Sequence, residues 1–162
     1  MQQTDLQLKD LMKFLDESTC NFWAVKNIAS RLENNGYVKL CQKDKWNIVP
    51  GGKYYVTQND SAIFAFVAAT EPIYNGFKII TAHSDSPGFR IKPASEMLCD
   101  GIIVKLNTEV YGGPILYTWF DRPLSISGRV ILRSKNPLHP KSRLVKVNRP
   151  LLTIPHLAIH YN

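Results

Sequence analysis

Residues 77–82 constrain this 162-residue chain more than any other stretch. Ile79, Ile80, Thr81 and Ala82 form a nearly continuous apolar, β-branched run. That is the pattern of a strand covered on both faces rather than one half exposed to water. Such a strand needs packed layers above and below it, so it implies a layered α/β arrangement. The preceding sequence offers helices for one layer. Leu8, Leu11, Met12 and Leu15 recur at helical spacing, with Thr4 as a candidate N-cap. After a break at Ser18-Thr19, Val25, Ile28, Ala29 and Leu32 continue the 3.6-residue period. Asn34-Asn35-Gly36 then reads as a helix stop, with Gly36 suited to the left-handed position. Both apolar stripes are expected to face the core.

From Tyr37 the period changes. Residues 53–57 and 62–68 read as strands, like 77–82, and turn signals at Pro50-Gly51-Gly52, Asn59-Asp60 and Asn75-Gly76 separate them. After Pro93 no helical period is visible. Short strands are expected at 101–106, 109–111, 115–120, 124–132 and 144–147. A boundary is therefore expected near residues 92–95, between an α/β part and an all-β part.

Composition excludes several classes. Apolar residues make up 44% of the chain, enough for a sizeable core and too many for a disordered chain. No run of about 18 apolar residues is present, so no membrane span is expected. The start, Met1-Gln2-Gln3-Thr4-Asp5, lacks the basic and apolar regions of a signal peptide. The expected compartment is the cytoplasm. Cys20, Cys41 and Cys99 are odd in number and far apart, which reads as free thiols. The net charge of +7 is concentrated in Arg129, Arg133, Lys135, Lys141, Arg143, Lys146 and Arg149, a stretch without a carboxylate. A solvated basic β-surface explains it more simply than nucleic-acid binding.

The chemistry is expected just beyond residues 77–82. In open α/β sheets ligands gather past the carboxyl ends of strands, where His83 and Asp85 stand. A His-x-Asp spacing lets the carboxylate hold one ring nitrogen and fix the other as a metal-binding lone pair. His-x-Asp is common by chance, so on spacing alone a structural histidine beside a turn aspartate is the simpler reading.

The words around this pair decide further. Gly52-Lys53-Tyr54-Tyr55-Val56-Thr57 with Asn59 and Ser61 is followed by Ala82-His83-Ser84-Asp85-Ser86-Pro87 and then Arg90-Ile91-Lys92-Pro93. Val110-Tyr111-Gly112-Gly113, Trp119-Phe120-Asp121-Arg122-Pro123-Leu124-Ser125, Gly128-Arg129-Val130 and Ile154-Pro155-His156-Leu157-Ala158-Ile159-His160 come next, in that order. In these words the chain resembles the M18 metalloaminopeptidases of the aspartyl aminopeptidase type, over about the first third of a full-length member.

The resemblance implies a fold class of α/β. Residues 1–93 would be the incomplete N-terminal part of an α/β/α zinc-peptidase domain, and 94–162 part of a β-rich dimerisation domain. It implies two divalent metals, usually zinc, and removal of N-terminal residues from peptides, acidic ones in the best-known branch. His83 would be a metal ligand, and Asp85 its orienting partner within the catalytic machinery. His160 would be a metal ligand or a contact to a neighbouring subunit's site, with His156 the weaker match. The expected partners are peptide substrates, the remainder of the aminopeptidase chain and further copies of it, with no nucleic acid and no membrane. The family's glutamate base and its other ligands lie later in its sequence, so these 162 residues alone are expected to be inactive. The competing reading is a non-catalytic β-rich interaction module.

Overall fold

The computed structural model describes residues 2–71, 76–158 and 160. The chain divides into two compact units. The first comprises Met1–Asp85 and Ser127–Val147; the second comprises Ser86–Ile126 and Asn148–Asn162. No helix among the described residues is long and apolar enough to cross a membrane.

The first unit is built on β2 (Lys53–Gln58). Strand β1 (Val38–Lys39) lies parallel on one side of it, and β3 (Ala62–Val67) antiparallel on the other. As the central strand, β2 buries Tyr54, Tyr55 and Val56 in succession. Tyr54 packs on Phe66 with ring centroids 5.5 Å apart, and its hydroxyl accepts the Val49 N–H at 3.0 Å. This ring lies directly over Gly52, where an added Cβ would come within 2.5 Å of it, so only glycine fits. Tyr55 points to the other face and donates its hydroxyl hydrogen bond to Glu33 Oε1. Glu33 belongs to α2 (Asn21–Asn34), whose Ala24 and Val25 complete the buried core.

Helix α2 ends as its sequence predicts. Gly36 has φ +81, Gly36 N–H donates to Glu33 O and Tyr37 N–H donates to Leu32 O, each at 3.0 Å, which is a Schellman motif. Its N-cap is Cys20, without a side-chain cap, while Ser18 instead accepts a bond from Asn27 at 3.1 Å. Helix α1 (Gln2–Glu17) departs from expectation. Thr4 lies inside the helix rather than at its cap, and the Leu8, Leu11, Met12 and Leu15 side chains are more than half exposed. Its opposite side is anchored. Asp10 takes a bidentate bond from Arg31, 2.8 Å at each oxygen, and Arg31 also covers Phe14.

Residues 77–82 contain no strand. The run expected to be most buried is the most exposed: Ile80 retains 98% of its accessible surface. Among the described residues no strand lies beside it, and an interior strand without flanking strands has no ladder to join.

The β6 (Ser127–Leu132) and β7 (Lys141–Lys146) hairpin also belongs to the first unit. It is held against α2 by polar anchors. Arg129 stacks over Phe22 at 4.2 Å and donates to Asn59 O at 2.8 Å, and the Trp23 indole donates to Val145 O at 3.1 Å.

In the second unit β4 (Gly88–Cys99) pairs antiparallel with β5 (Ile103–Tyr111). Strand β4 runs across the residues where the sequence suggested a boundary, because Pro93 does not break it. The pairing shifts between Ile91 and Glu96, and this bulge accommodates a residue with no N–H to give. Ala94, inside the bulge, adopts φ +51. Residues 115–120 form not a strand but a 3-10 turn, Leu116–Trp119. Single bridges join Phe120 to Ile154 and Leu124 to Leu152.

Two outcomes test this packing. Burial, then the bond to Glu33 and its negative charge, push the Tyr55 phenol from 10.0 up to about 12. The neutral phenol is thus favoured by folding, so its contribution is full below pH 10 and lost as pH rises through about 12. An alkaline absorbance titration should show one of the seven tyrosines ionising late, and Glu33→Gln should bring it earlier. Ala94→Gly should stabilise the chain by about 1 kcal/mol in denaturant titration, because a Cβ at positive φ is strained.

Candidate metal centre

His83 and Asp85 sit in the loop that follows the exposed run, and the loop is tied down by its own sequence. Ser84, between them, donates its hydroxyl hydrogen bond to Ser61 O at 2.8 Å. Ser61 closes the β2–β3 turn, where Asn59 and Asp60 both hold positive φ and Ser61 N–H returns to Gln58 O at 3.0 Å. The same turn receives Arg129 on Asn59 O. The central strand thus positions the loop through one turn, with Ser84 as the link. Ser84 stood within the sequence motif, yet nothing in a serine's identity indicates which carbonyl it will reach.

The pair itself is close. His83 Nδ1 lies 3.1 Å from Asp85 Oδ1. An ionised carboxylate only accepts, so Nδ1 carries the proton and Nε2 keeps its lone pair. The His83 side chain is 91% exposed and that of Asp85 31%. The arrangement presents an oriented nitrogen donor to whatever lies beyond the loop.

The other candidates lie in the second unit. His160 is exposed. His156 is held in an aromatic cluster, with ring centroids 5.0 Å from Phe120 and 5.6 Å from Tyr117. Its backbone N–H donates to Asp121 Oδ1 at 3.1 Å and its Nδ1 to Leu157 O at 2.8 Å. Asp121 and Arg122, adjacent in sequence, turn to different partners, because Arg122 donates to Thr118 O at 3.1 Å. Trp119 packs edge-on against Phe89, 5.3 Å between centroids.

Among the described residues no three His, Cys, Asp or Glu side chains come together in a way that could hold a metal ion. A catalytic zinc requires about three protein ligands and a water, and a structural zinc four. His83 fits one ligand position; the described residues do not close a centre around it.

The family model for "Aminopeptidase I zinc metalloprotease (M18)" matches residues 14–162. The chain belongs to the M18 family. It is 52% identical over 154 residues to the probable M18 family aminopeptidase 2 of Clostridium novyi, covering 94% of this chain and 36% of that protein. It therefore spans about a third of the length of the curated relatives it matches. Among solved structures, the Ape4–Nbr1 complex matches with a TM-score of 0.86 and 40% identity, over 94% of this chain and 29% of the matched one. The mApe1 dodecamer of S. cerevisiae matches with a TM-score of 0.83 and 26% identity, over 94% and 36%. The M18 assignment agrees with the resemblance carried by the sequence words, and the mixed helix and strand architecture is that of the matched part of these folds.

The pair geometry yields a direct test. Nitrogen-15 NMR of the neutral imidazole should find His83 protonated at Nδ1. Asp85→Ala should release the ring towards the tautomer mixture of a free imidazole. An unchanged spectrum would mean that Asp85 does not orient the ring.

Proposed function

We propose that this chain contributes part of a zinc-dependent aminopeptidase that removes N-terminal residues, acidic ones among them, from peptides. The observation that carries the reading is the His83–Asp85 pair, held at 3.1 Å on a tethered loop in a chain of the M18 family. His83 supplies a metal ligand, Asp85 fixes its tautomer, and His160 supplies a second histidine, to the same centre or to that of a neighbouring subunit. Residues 1–93 act as the start of the catalytic domain and 94–162 as part of the dimerisation domain. The complete enzyme holds two divalent metals, works in the cytoplasm and assembles as a homo-oligomer; the dodecameric relative supports the last of these.

A zinc ion held by His83 together with ligands from other polypeptide would supply the acidified water and the polarised scissile carbonyl. The share of these residues is narrower. Asp85 holds the proton on Nδ1, so that Nε2 stays a neutral donor, and Ser84 holds the loop against the β2–β3 turn. One or two histidine donors fall short of the three that a catalytic zinc needs, so these 162 residues alone are inactive, and the remaining ligands come from other polypeptide.

A second reading has its own support. The β4–β5 hairpin exposes Leu98, Ile102, Ile103 and Val104, a surface suited to protein contact without catalysis. On that reading self-association survives His83→Ala and no activity can be restored.

The deciding experiment adds the C-terminal two-thirds of the Clostridium novyi relative to this chain and assays release of N-terminal residues with zinc. The expected outcome is no cleavage by either part, cleavage by the mixture, and loss of at least about a hundredfold with His83→Ala. Titration calorimetry of the chain alone should find no tight zinc site. An inactive mixture whose parts nonetheless bind each other would favour the interaction module.

A further inference from the structure

We infer that the outward face of the β6–β7 hairpin is a docking surface for an acidic polypeptide segment that carries apolar residues. The inference stands apart from the aminopeptidase reading. It starts from charge: after Asp121 the chain has eight Lys or Arg and no Asp or Glu, so residues 122–162 carry +8 while the whole chain carries +7. The rest of the chain is therefore almost balanced, and the imbalance is local.

The structure sorts these cations. Arg129 is engaged by Phe22 and Asn59, and Lys146 donates to Asp16 O at 2.6 Å. Both hold the hairpin to its own unit. Arg133, Lys135, Lys141 and Arg143 form no ion pair, hydrogen bond or ring contact among the described residues. Cross-strand pairing sets Val130 opposite Arg143 and Leu132 opposite Lys141. Side chains alternate across a strand, so these four share the face opposite Arg129 and Leu144. The result is a two-by-two block in which each exposed apolar side chain neighbours a cation. Beyond it the connecting loop is closed by hydrogen bonds, with Ser134 Oγ donating to His139 O at 2.9 Å and Leu138 N–H to Asn136 Oδ1 at 3.0 Å. Leu138 is left 85% exposed at the tip.

The interleaving identifies the partner class. A single-stranded nucleic acid would be met by cations and aromatic stacking platforms, and residues 127–147 contain no Phe, Tyr or Trp. Val130, Leu132 and Leu138 have nothing to gain from a phosphate backbone, whereas apolar side chains of a polypeptide bury them while its carboxylates meet Lys141 and Arg143. Among the described residues β6 and β7 pair as strands only with each other, and the Trp23 indole occupies one β7 carbonyl, that of Val145, so β6 offers an outer edge without a strand beside it. An extended segment can add to such an edge, backbone to backbone, placing alternate residues on the charged face.

The test uses the intact 162-residue chain and three labelled probes in fluorescence anisotropy: a peptide alternating glutamate with valine, the same peptide with lysine for glutamate, and a DNA duplex. Binding of the glutamate peptide alone is expected, weakening with salt and falling roughly thirtyfold in Lys141→Gln/Arg143→Gln, as two exposed ion pairs at the upper end of their range require. Leu138→Ala and Lys135→Gln serve as independent variants should the double substitution disturb the hairpin's circular dichroism. Three results overturn the inference. One is no binding of the glutamate peptide, or binding that none of these variants changes. Another is duplex binding as tight as peptide binding. The third is salt-reversible self-association lost in the double variant, which would assign the face to a second copy of the chain.

Discussion

Tyr55 is the constraint on which the first unit depends. It keeps only 1% of its accessible surface, and its hydroxyl would be costly to bury alone. Glu33 accepts that hydroxyl's hydrogen bond, which fixes the rotation of α2 over β2. With α2 set, Phe22 and Trp23 face the β6–β7 hairpin and receive Arg129 and the Val145 carbonyl. With β2 set, its turn to β3 offers Asn59 O to Arg129 and Ser61 O to Ser84. One buried phenol therefore organises a helix, a sheet, a hairpin and the loop that bears His83.

The apolar core around it is small. Ala24, Val25, Tyr54, Tyr55 and Val56 are the buried apolar residues among those described, in a chain whose composition is 44% apolar. Much of the remaining apolar surface, in α1, in residues 77–82 and in the β4–β5 hairpin, faces outward. Hydrophobic burial stabilises in proportion to area removed from water, so these faces represent free energy that only further contacts can release. The same logic applies to the metal chemistry. An exposed, oriented imbidazole nitrogen is inexpensive to build and does little until other ligands join it.

The sequence was legible where the responsible physics is local. The helical period of α2, the Gly36 stop, the Asn59-Asp60 turn and the strands β2 and β3 follow from side-chain spacing and left-handed backbone preference. The reading was less direct for α1 and residues 77–82, where periodicity marks which side chains seek cover without saying whether cover is present. Strand β4 was hidden by Pro93, because a proline signals a break unless a bulge makes its missing N–H harmless.

By itself the sequence determined the family, the His83-x-Asp85 pair and the concentration of positive charge after Asp121. These depend on residue identity and order, which folding does not alter. Tertiary structure alone decided that Ser84 ties the loop to Ser61, that His156 is taken up by an aromatic cluster, and which cations remain unpartnered. Those outcomes turn on contacts between residues distant along the chain. Whether a cation is spent on a carbonyl or left facing water is a matter of register and packing, and no local pattern encodes it.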